Sequence, residues 1–500
     1  MRRAAGVMLA ATVAGCVAVA GCTTATAGRA QQAAPSVRSS SASSGAASPT
    51  PTPSPTPTRS PSPRPSPRPT ARAAATGCPA HYLPPDPRRP RIGLRFTVAP
   101  GLASVVGTEH VVFTPDLPVR RLVFRLTANT ITSFDRGTSQ TVTGVRLHGR
   151  PAHFTIESDG AAPGSPGGLL DVPLGRVVPA GTPISADLTF TLRIGSASFE
   201  RFGRADGVAW WGSGAPLLSW QYGVGWHREP MARFLGESAT SEAAVYDVTV
   251  IAPTGATVLA TGGAGPPTPA GAGLRRWHAR STTARDVAIA VGRFATRVVR
   301  IGSTRVTVAG PDPAALPALA AQVRTSVQGL AGRFGPFPYP TLAAVSLPAS
   351  GGGIEYPGVV LLAGTDRQTV THELAHQWFY GLVGDSQARD PWLDEAFATY
   401  AEELVDGRTS TADLHDPGAV GATLASWGDD ESGYFTTTYL KGSAALLTAR
   451  AAAGPARFDA ALRCYVAAQA WRIARPGDLA RGLSRLPAAV SVLRAAGALP

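Results

Sequence analysis

The sequence predicts an α+β protein with two folded domains, a β domain over residues 77–300 and a mainly helical domain over residues 301–500. From about residue 91 to residue 300, short runs of alternating or β-branched residues are separated by glycine and proline, without a convincing helical stretch. After residue 300 the pattern changes to amphipathic stretches with a helical period. The hydrophobic and charged fractions, 44% and 16%, are ordinary for a globular protein of this length.

The β domain is predicted from five runs that have the two-residue period of strands. They cover residues 119–126, 142–147, 184–192, 246–251 and 287–291. Because turn residues separate them and no crossover helix is evident, we expect a largely antiparallel sheet domain.

The second domain begins with a mixture of strands and helices and ends with helices alone. The pattern predicts strands at 304–309 and 342–347 and helices at 313–334, 366–382, 392–404, 444–452 and 456–470.

The amino terminus has the organisation of a signal peptide over residues 1–22. Met1, Arg2 and Arg3 precede a short apolar run that ends in Val-Ala-Gly-Cys at Cys22. This tetrapeptide resembles a bacterial lipobox, which implies lipid attachment at Cys22 and an extracytoplasmic, membrane-anchored protein. The same tetrapeptide ends at Cys16 after a shorter apolar run, and an ordinary secreted protein is the alternative.

Residues 23–76 are predicted to form a disordered tether. They consist mainly of Ala, Ser, Thr, Pro and Arg, and the repeated prolines favour an extended polyproline II path. Residues 1–76 hold eight arginines and no acidic residue, which leaves only +5 of the net charge of +13 for the rest of the chain. Because the basic excess lies mainly in the leader and tether, and no nucleic-acid-binding motif is present, we expect no nucleic-acid partner. The oligomeric state stays open.

Two cysteines remain in the folded part of the chain, Cys78 and Cys464. In an oxidising compartment they can form a disulfide that joins the start of the folded region to its last helices. Two buried free thiols are the alternative, since the sequence does not give their separation.

The strongest chemical signal is His372-Glu373-Leu374-Ala375-His376, followed after eighteen residues by Glu395. Residues four apart on a helix lie on one face, so both imidazoles can bind a single cation, and their spacing suits zinc. Glu395, on a second helix, supplies the third ligand, and two histidines with one carboxylate are typical of a catalytic zinc site. Glu373 then lies beside the metal, where it can accept a proton from water.

This motif resembles that of the gluzincin metallopeptidases, and specifically of the M1 aminopeptidase family. Gly352-Gly353-Ile354-Glu355-Tyr356 is similar to the family's Gly-x-Met-Glu-Asn strand, and Tyr439-Leu440-Lys441-Gly442 is similar to its Tyr-x-Lys-Gly segment. The resemblance implies a saddle-like or sandwich β domain before a thermolysin-like, mainly helical catalytic domain with one zinc ion. Larger family members carry a further helical domain, for which this chain stops too early.

The resemblance also implies roles around the zinc. Glu373 is expected to be the general base and proton shuttle. Tyr439 is expected to stabilise the oxyanion, with Tyr434 as the nearby alternative.

Substrate-binding residues follow from the same comparison. Glu355 is expected to pair with the α-ammonium of a peptide substrate, and Gly352 and Gly353 to pair with its backbone. Gln221, in a Trp-rich passage of the β domain, matches roughly where the family places a residue that reaches into the pocket. Tyr356 replaces the family's asparagine, which weakens the expectation of strict aminopeptidase specificity.

The sequence therefore predicts a zinc metallopeptidase that removes amino-terminal residues from peptides. An endopeptidase of the same fold is the first alternative, because an uncovered cleft can admit longer chains. A cell-surface binding module that keeps the fold without the chemistry is the second alternative.

Overall fold

The structure is a computed structural model that describes residues 78–199, 201–234 and 239–500. The predicted signal peptide with Cys16 and Cys22, and the predicted tether over residues 23–76, lie outside the described residues. The described residues all belong to one compact unit that extends to Pro500.

The described residues of the β domain form eighteen strands. They are β1 (Arg91–Val98), β2 (Ser104–Phe113), β3 (Val119–Arg125), β4 (Ser139–Leu147), β5 (Arg150–Pro151), β6 (Thr155–Glu157), β7 (Leu169–Val178), β8 (Ile184–Arg193), β9 (Phe202–Ala205), β10 (Val208–Gly212), β11 (Leu217–Leu218), β12 (Trp220–Gln221), β13 (Gly225–Trp226), β14 (Ala244–Pro253), β15 (Thr257–Ala260), β16 (Thr268–Pro269), β17 (Leu274–Ala284) and β18 (Ala288–Gly292).

These strands form one large sheet and smaller sheets packed beside it. The large sheet has the order β16-β17-β14-β1-β2-β8-β4-β5, and two four-stranded sheets have the orders β15-β18-β10-β9 and β11-β3-β7-β6. Strand residues of the large sheet alternate between buried and exposed, as in β2, so one face packs on the core and the other faces solvent. The core between the sheets is rich in aromatic side chains, among them Phe96, Phe190 and Trp211.

The large sheet is largely antiparallel, as the sequence predicted. Its described strands β1 and β14 pair in parallel, and its other strand pairs are antiparallel. A 3-10 turn (Thr127–Asn129) and a short helix, α1 (Ile131–Asp135), interrupt the strands. The helix begins where the Thr130 side chain accepts a hydrogen bond from the Ser133 amide, a local cap that strand periodicity does not reveal.

A five-stranded sheet opens the second domain. Its strands are β19 (Ala295–Ile301), β20 (Thr304–Gly310), β21 (Thr341–Ser346), β22 (Gly353–Tyr356) and β23 (Val359–Leu362), in the order β19-β20-β21-β23-β22. The predicted domain boundary at residue 300 therefore falls within β19. Helix α2 (Leu316–Phe334) crosses between β20 and β21 and buries Val323, Val327 and Leu330.

The remaining elements are mainly helical. They are α3 (Arg367–Ala375), β24 (Val383–Gly384), α4 (Trp392–Asp406), α5 (Glu431–Tyr434), a π-helix (Phe435–Lys441), α6 (Gly442–Ala453), α7 (Pro455–Gln469), β25 (Arg472–Ile473), α8 (Pro476–Gly482) and α9 (Pro487–Ala495), with 3-10 turns at Ala412–His415 and Leu424–Trp427. A sheet domain followed by a helical domain confirms the predicted fold class.

Helix α3 is shorter than the sequence predicted, because it ends at Ala375 instead of residue 382. Four residues after His376, Tyr380 has φ of 99°, a value outside the helical region that few side chains adopt. The Tyr380 carbonyl accepts a hydrogen bond of 2.9 Å from Arg285 Nε, so a buried arginine of the β domain holds this turn.

The first described residues lie on the helical domain before the chain enters the β domain. Cys78 and Cys464 are joined by a disulfide, with their Cα atoms 4.9 Å apart. Further along this segment, the Leu83 amide donates to Ala467 O at 3.1 Å and Tyr82 Oη donates to Pro336 O at 2.6 Å. Of the two arrangements left open by the sequence, the structure contains the disulfide.

Within residues 78–500, no described helix has both the length and the apolar character needed to cross a membrane.

Candidate active site

Helix α3 presents its two histidines on the side opposite its apolar contacts. Asp366 caps the helix, accepting hydrogen bonds from the Thr369 amide at 2.9 Å, and Val370 and Leu374 are buried in the domain core. The rings of His372 and His376 lie together with their centroids 4.8 Å apart. The helical period thus places both imidazoles side by side on one face of the helix, as the spacing predicted.

Glu395, in the first turn of α4, meets the two histidines. Its Oε2 atom is 3.3 Å from His372 Nε2 and 3.4 Å from His376 Nε2. Two ligands bound tetrahedrally to one zinc at about 2.1 Å stand about 3.4 Å apart, so these separations fit a zinc ion between the three atoms. The nitrogen and oxygen donors also match the ligands that zinc prefers.

Carboxylates behind the histidines fix their orientation. His376 Nδ1 lies 2.5 Å from Asp394 Oδ1, and His372 Nδ1 lies 3.9 Å from Glu402 Oε2. When Nδ1 of His376 donates to Asp394, its Nε2 keeps the lone pair that a metal requires. Gln387 Nε2 in turn donates to Asp394 Oδ2 at 3.3 Å.

The carboxylates of the site favour a positive charge at the two histidines. Burial lowers the pKa of His372, but the Glu395 and Glu402 carboxylates outweigh burial and raise it to about 9. Burial opposes ionisation of Glu395 as well, yet the histidines hold its pKa well below the usual range. Without metal, protons occupy the nitrogen atoms that the metal would otherwise bind, so metal binding competes with protonation.

Glu373 and Glu355 face each other across the same cavity. Glu373, the residue after His372, is 6% exposed, and Glu355 on β22 is 4% exposed. Oxygen atoms of Glu355 and Glu373 and a ring nitrogen of His376 all lie within 4.8 Å of one another. The structure therefore brings both predicted carboxylates beside the metal donors.

Gln377, two residues after the end of α3, connects this helix to strand β22. The Gln377 Nε2 atom donates to Tyr356 O at 3.1 Å, and its Oε1 accepts from the Gly358 amide at 2.8 Å. Gly352 and Gly353 line the cavity next to Glu355, as the sequence predicted. The edge of β22 is free of strand partners within the described chain, because β23 pairs with its other side.

Tyr439 reaches the metal site from the π-helix. Its ring stacks on that of His372 with a centroid separation of 5.9 Å and an interplanar angle of 8°. The Tyr434 ring packs edge-on against Tyr439 at 5.8 Å, and both side chains line the cavity. The wider turn of a π-helix brings residues five apart onto one face, and such turns occur often at functional sites.

The structure does not bring Gln221 to this cavity. Gln221 is buried in the β domain, where its Oε1 lies 2.7 Å from His227 Nε2. It is not among the described residues that line the cavity, so the expectation that it reaches into the pocket is not met. Its backbone belongs to the short pair of strands β12 and β13, which the degenerate Trp-rich pattern did not reveal.

The cavity has a volume of about 600 Å³, and sequence reasoning missed Arg201 in its wall as well as two residues that support the site from behind. No role was predicted for Asp394, although an acidic residue next to a metal ligand can indicate a hydrogen-bond partner for a ligating histidine. Gln377 and Arg201 gave no signal in the sequence, since their roles depend on contacts with distant strands.

Together, a sheet domain, a helical domain and a two-histidine, one-carboxylate donor set on adjacent helices define a two-domain protein with a candidate zinc site. Residues 336–425 match the model of the Peptidase family M1 domain. The matched segment contains α3, with its two histidines, and Glu395, in agreement with the resemblance that the sequence analysis predicted.

Two curated relatives match parts of the chain. Tricorn protease-interacting factor F2 of Thermoplasma volcanium is 33% identical over 94 residues, which cover 15% of this chain and 12% of the relative. Aminopeptidase M1-D of Oryza sativa subsp. japonica is 27% identical over 179 residues, covering 29% of this chain and 20% of the relative. The chain thus spans a small part of the length of either protein.

Solved structures extend the similarity of fold to most of the chain. An M1 zinc metallopeptidase from Deinococcus radiodurans superposes with a TM-score of 0.61 at 20% identity, covering 84% of this chain and 97% of that one. A variant of a two-domain M1 zinc metallopeptidase gives a TM-score of 0.62 at 19% identity, covering 84% and 95%. The described chain therefore has the fold of the two-domain M1 metallopeptidases.

Proposed function

We propose that this protein is a zinc-dependent aminopeptidase that removes single residues from the amino terminus of peptides. One observation carries the proposal: the carboxylate of Glu355 lies in the same cavity as the metal donors, within 4.8 Å of Glu373 and His376 atoms. A peptide whose ammonium group pairs with Glu355 places its first peptide bond beside the metal site.

His372, His376 and Glu395 would hold the zinc ion. When bound, zinc supplies a Lewis acid that polarises a carbonyl and makes water more acidic. Glu373 accepts the proton of the attacking water on its carboxylate and delivers it to the leaving amine. Its buried position next to the metal donors keeps that proton close to both groups.

Tyr439 supplies a donor for the oxyanion of the tetrahedral intermediate. Its ring is held in place by stacking on His372 and by contact with Tyr434. A phenol fixed before the reaction costs little reorganisation as negative charge develops on the former carbonyl oxygen.

The test uses amino-acid p-nitroanilides with and without an N-acetyl group. The free-amine substrates should be cleaved, the acetylated ones should resist, and a chelator should abolish turnover until zinc is returned. Glu373→Gln should retain stoichiometric zinc but lose at least about a hundredfold in kcat. Unchanged turnover in that variant would refute this role for Glu373.

The same measurements separate the two alternatives. Cleavage of N-acetylated peptides at internal bonds would identify an endopeptidase, which an open edge on β22 also permits. Zinc binding without hydrolysis of any peptide would identify a binding module. The presence of Glu373, Tyr439 and all three metal donors in one cavity favours an active enzyme.

We further propose that the protein is attached to the outer side of a membrane by a lipid on Cys22. Arg2 and Arg3, the apolar run and Val-Ala-Gly-Cys support this proposal, and a proline-rich tether over residues 23–76 would give the enzyme distance from the surface. Metabolic labelling with a fatty acid should mark the wild-type protein and not Cys22→Ser. Labelling that persists in Cys22→Ser and disappears in Cys16→Ser would move the anchor to Cys16.

A further inference from the structure

Arg201 is the only arginine or lysine among the described residues that line the catalytic cavity. Its side chain is 8% exposed. The other charged groups of the wall are histidines and six carboxylates: Glu355, Asp366, Glu373, Glu395, Glu402 and Glu431. Burying a guanidinium is costly unless partners compensate it, so its position in the wall requires a dedicated set of contacts.

A chain of hydroxyl groups is among those contacts. Arg201 Nη1 donates to Tyr356 Oη at 2.9 Å, and Tyr356 Oη lies 3.2 Å from Ser213 Oγ. Ser213 Oγ donates to Asp286 Oδ2, and the other oxygen of Asp286 accepts from the Val287 amide at 2.6 Å. Arg201 and the buried Asp286 thus belong to one hydrogen-bonded network.

The geometry of this network is rigid. The Tyr356 side chain is 1% exposed, and its ring lies so close to Gly212 that a methyl group on Gly212 would be 2.0 Å from it. Ser213 has φ of 55°, a conformation that persists in a non-glycine residue only where the surroundings fix it. Arg201 is therefore oriented before any substrate binds.

The segment before Arg201 borders the start of the substrate-binding strand. Phe199 forms a β-bridge with Ser350, and Ser350 Oγ donates to Ser198 O at 3.2 Å. The amine-binding candidate Glu355 lies further along the chain, within β22. An extended peptide along β22 would have its ammonium end near the carboxylates of the cavity wall. Arg201 of the β domain would lie beside the same strand.

We propose that Arg201 is a specificity-determining residue that binds a carboxylate of the peptide substrate, and that Tyr356 and Ser213 position its guanidinium. This inference rests on the proposed aminopeptidase function. The rest of the cavity wall is rich in carboxylates, which repel a negatively charged group of the substrate. The fixed guanidinium of Arg201 attracts such a group, and its planar arrangement of N–H donors matches the two oxygens of a carboxylate. The carboxylate can be the carboxyl terminus of a short peptide or an acidic side chain.

Two ratios of kcat/KM test the proposal and distinguish the sources. The first compares Ala-Ala-Ala with its carboxyl-terminal amide, and the second compares Ala-Asp-Ala amide with Ala-Asn-Ala amide. Wild type should favour the carboxylate in one pair by roughly ten- to a hundredfold. Arg201→Met should bring that ratio close to one and leave the carboxylate-free peptides within about threefold of wild type.

Two further variants separate recognition from a structural role. Arg136→Met removes a nearby cation that stacks over Phe199 at 4.8 Å but does not line the cavity, so both ratios should stay at the wild-type value. Tyr356→Phe keeps the ring on Gly212 and removes only the hydroxyl that orients Arg201. It should reduce the favoured ratio by part of the Arg201→Met effect.

Wild-type ratios near one in both pairs, or an equal fall for all four peptides in Arg201→Met, would overturn the proposal. A preserved ratio in Arg201→Met would overturn it as well. If wild type hydrolyses none of the peptides, the proposed function fails, and calorimetric binding of the same acid and amide pairs to wild type and Arg201→Met then decides the role of Arg201.

Discussion

Gly353 lies against Glu373 so closely that a methyl group on Gly353 would be 2.6 Å from Glu373 Cγ and 2.9 Å from its Oε1. Gly353 on β22 therefore leaves the space that Glu373, the candidate general base on α3, occupies.

Gly353→Ala should lower kcat/KM by roughly tenfold or more, because Glu373 must move away from the position where it accepts the proton. Gly352→Ala is the matched control, since a methyl group there meets no atom within 4 Å and should have a far smaller effect. Steady-state kinetics on an amino-acid p-nitroanilide measures both variants. Equal losses would show that strand contacts, and not displacement of Glu373, limit the reaction.

Asp394 should determine how tightly the metal is held. It is 2.5 Å from His376 Nδ1, so Asp394→Asn removes the charge that orients and polarises this histidine. Loss of such a partner typically weakens metal binding by about ten- to a hundredfold, and competition with a chromophoric chelator would measure the change. Glu402→Gln should weaken zinc less, because Glu402 stands 3.9 Å from His372. A larger effect at Glu402 would contradict this order.

Local chemistry was predictable from the sequence, whereas contacts between distant segments were not. The spacing of His372, His376 and Glu395 predicts a metal site if the two helices that carry them pack together. The structure brings these three residues together. Helical periodicity does not reveal that α3 stops at Ala375 or that the chain turns at Tyr380, where Arg285 of the β domain holds the backbone. The prediction for Gln221 failed for a different, local reason, because β12 and β13 are two residues long and carry no clear period.

Lys441, the only lysine of the chain, should stabilise the loop beside the π-helix. Its Nζ donates to Asp416 O at 2.5 Å and to Gly418 O at 2.6 Å. Lys441→Met leaves both carbonyls without this donor, which should lower the free energy of unfolding by about 2–4 kcal/mol in denaturant titrations. Because Tyr439 lies on the same π-helix, kcat should fall as well. Full stability together with full kcat would contradict this role.

The disulfide should contribute stability by restricting the unfolded chain. Cys78 and Cys464 are 386 residues apart in sequence, so their bond closes most of the folded region into one loop. Cys464→Ser paired with Cys78→Ser should lower the free energy of unfolding by about 2–4 kcal/mol. Turnover of the double variant at low temperature should match wild type, since neither cysteine lines the cavity. Unchanged denaturation of wild type under reducing conditions would argue against the contribution.

Glu242 should make the stability of the protein fall as pH rises from 4.5 to about 7. Burial raises the pKa of this carboxyl from 4.5 to about 7, and its Oε1 accepts a hydrogen bond of 2.8 Å from the Tyr222 amide. Below pH 4.5 the folded and unfolded chains both carry the proton, so the group adds no penalty there. Between pH 4.5 and about 7, Glu242 is ionised in the unfolded chain but still protonated in the folded chain. The free energy of unfolding therefore falls by about 1.4 kcal/mol per pH unit in this range.

Glu242→Gln isolates this effect, because the amide oxygen can still accept from Tyr222 and does not ionise. The free energy of unfolding of the variant minus that of wild type should therefore increase from pH 4.5 to pH 7 by about 3 kcal/mol and stay level above that range. Chemical denaturation at a series of pH values gives this difference directly, and other titrating groups cancel because both proteins share them. A difference that stays constant with pH would mean that Glu242 is already ionised in the folded protein, with Arg285 compensating its charge.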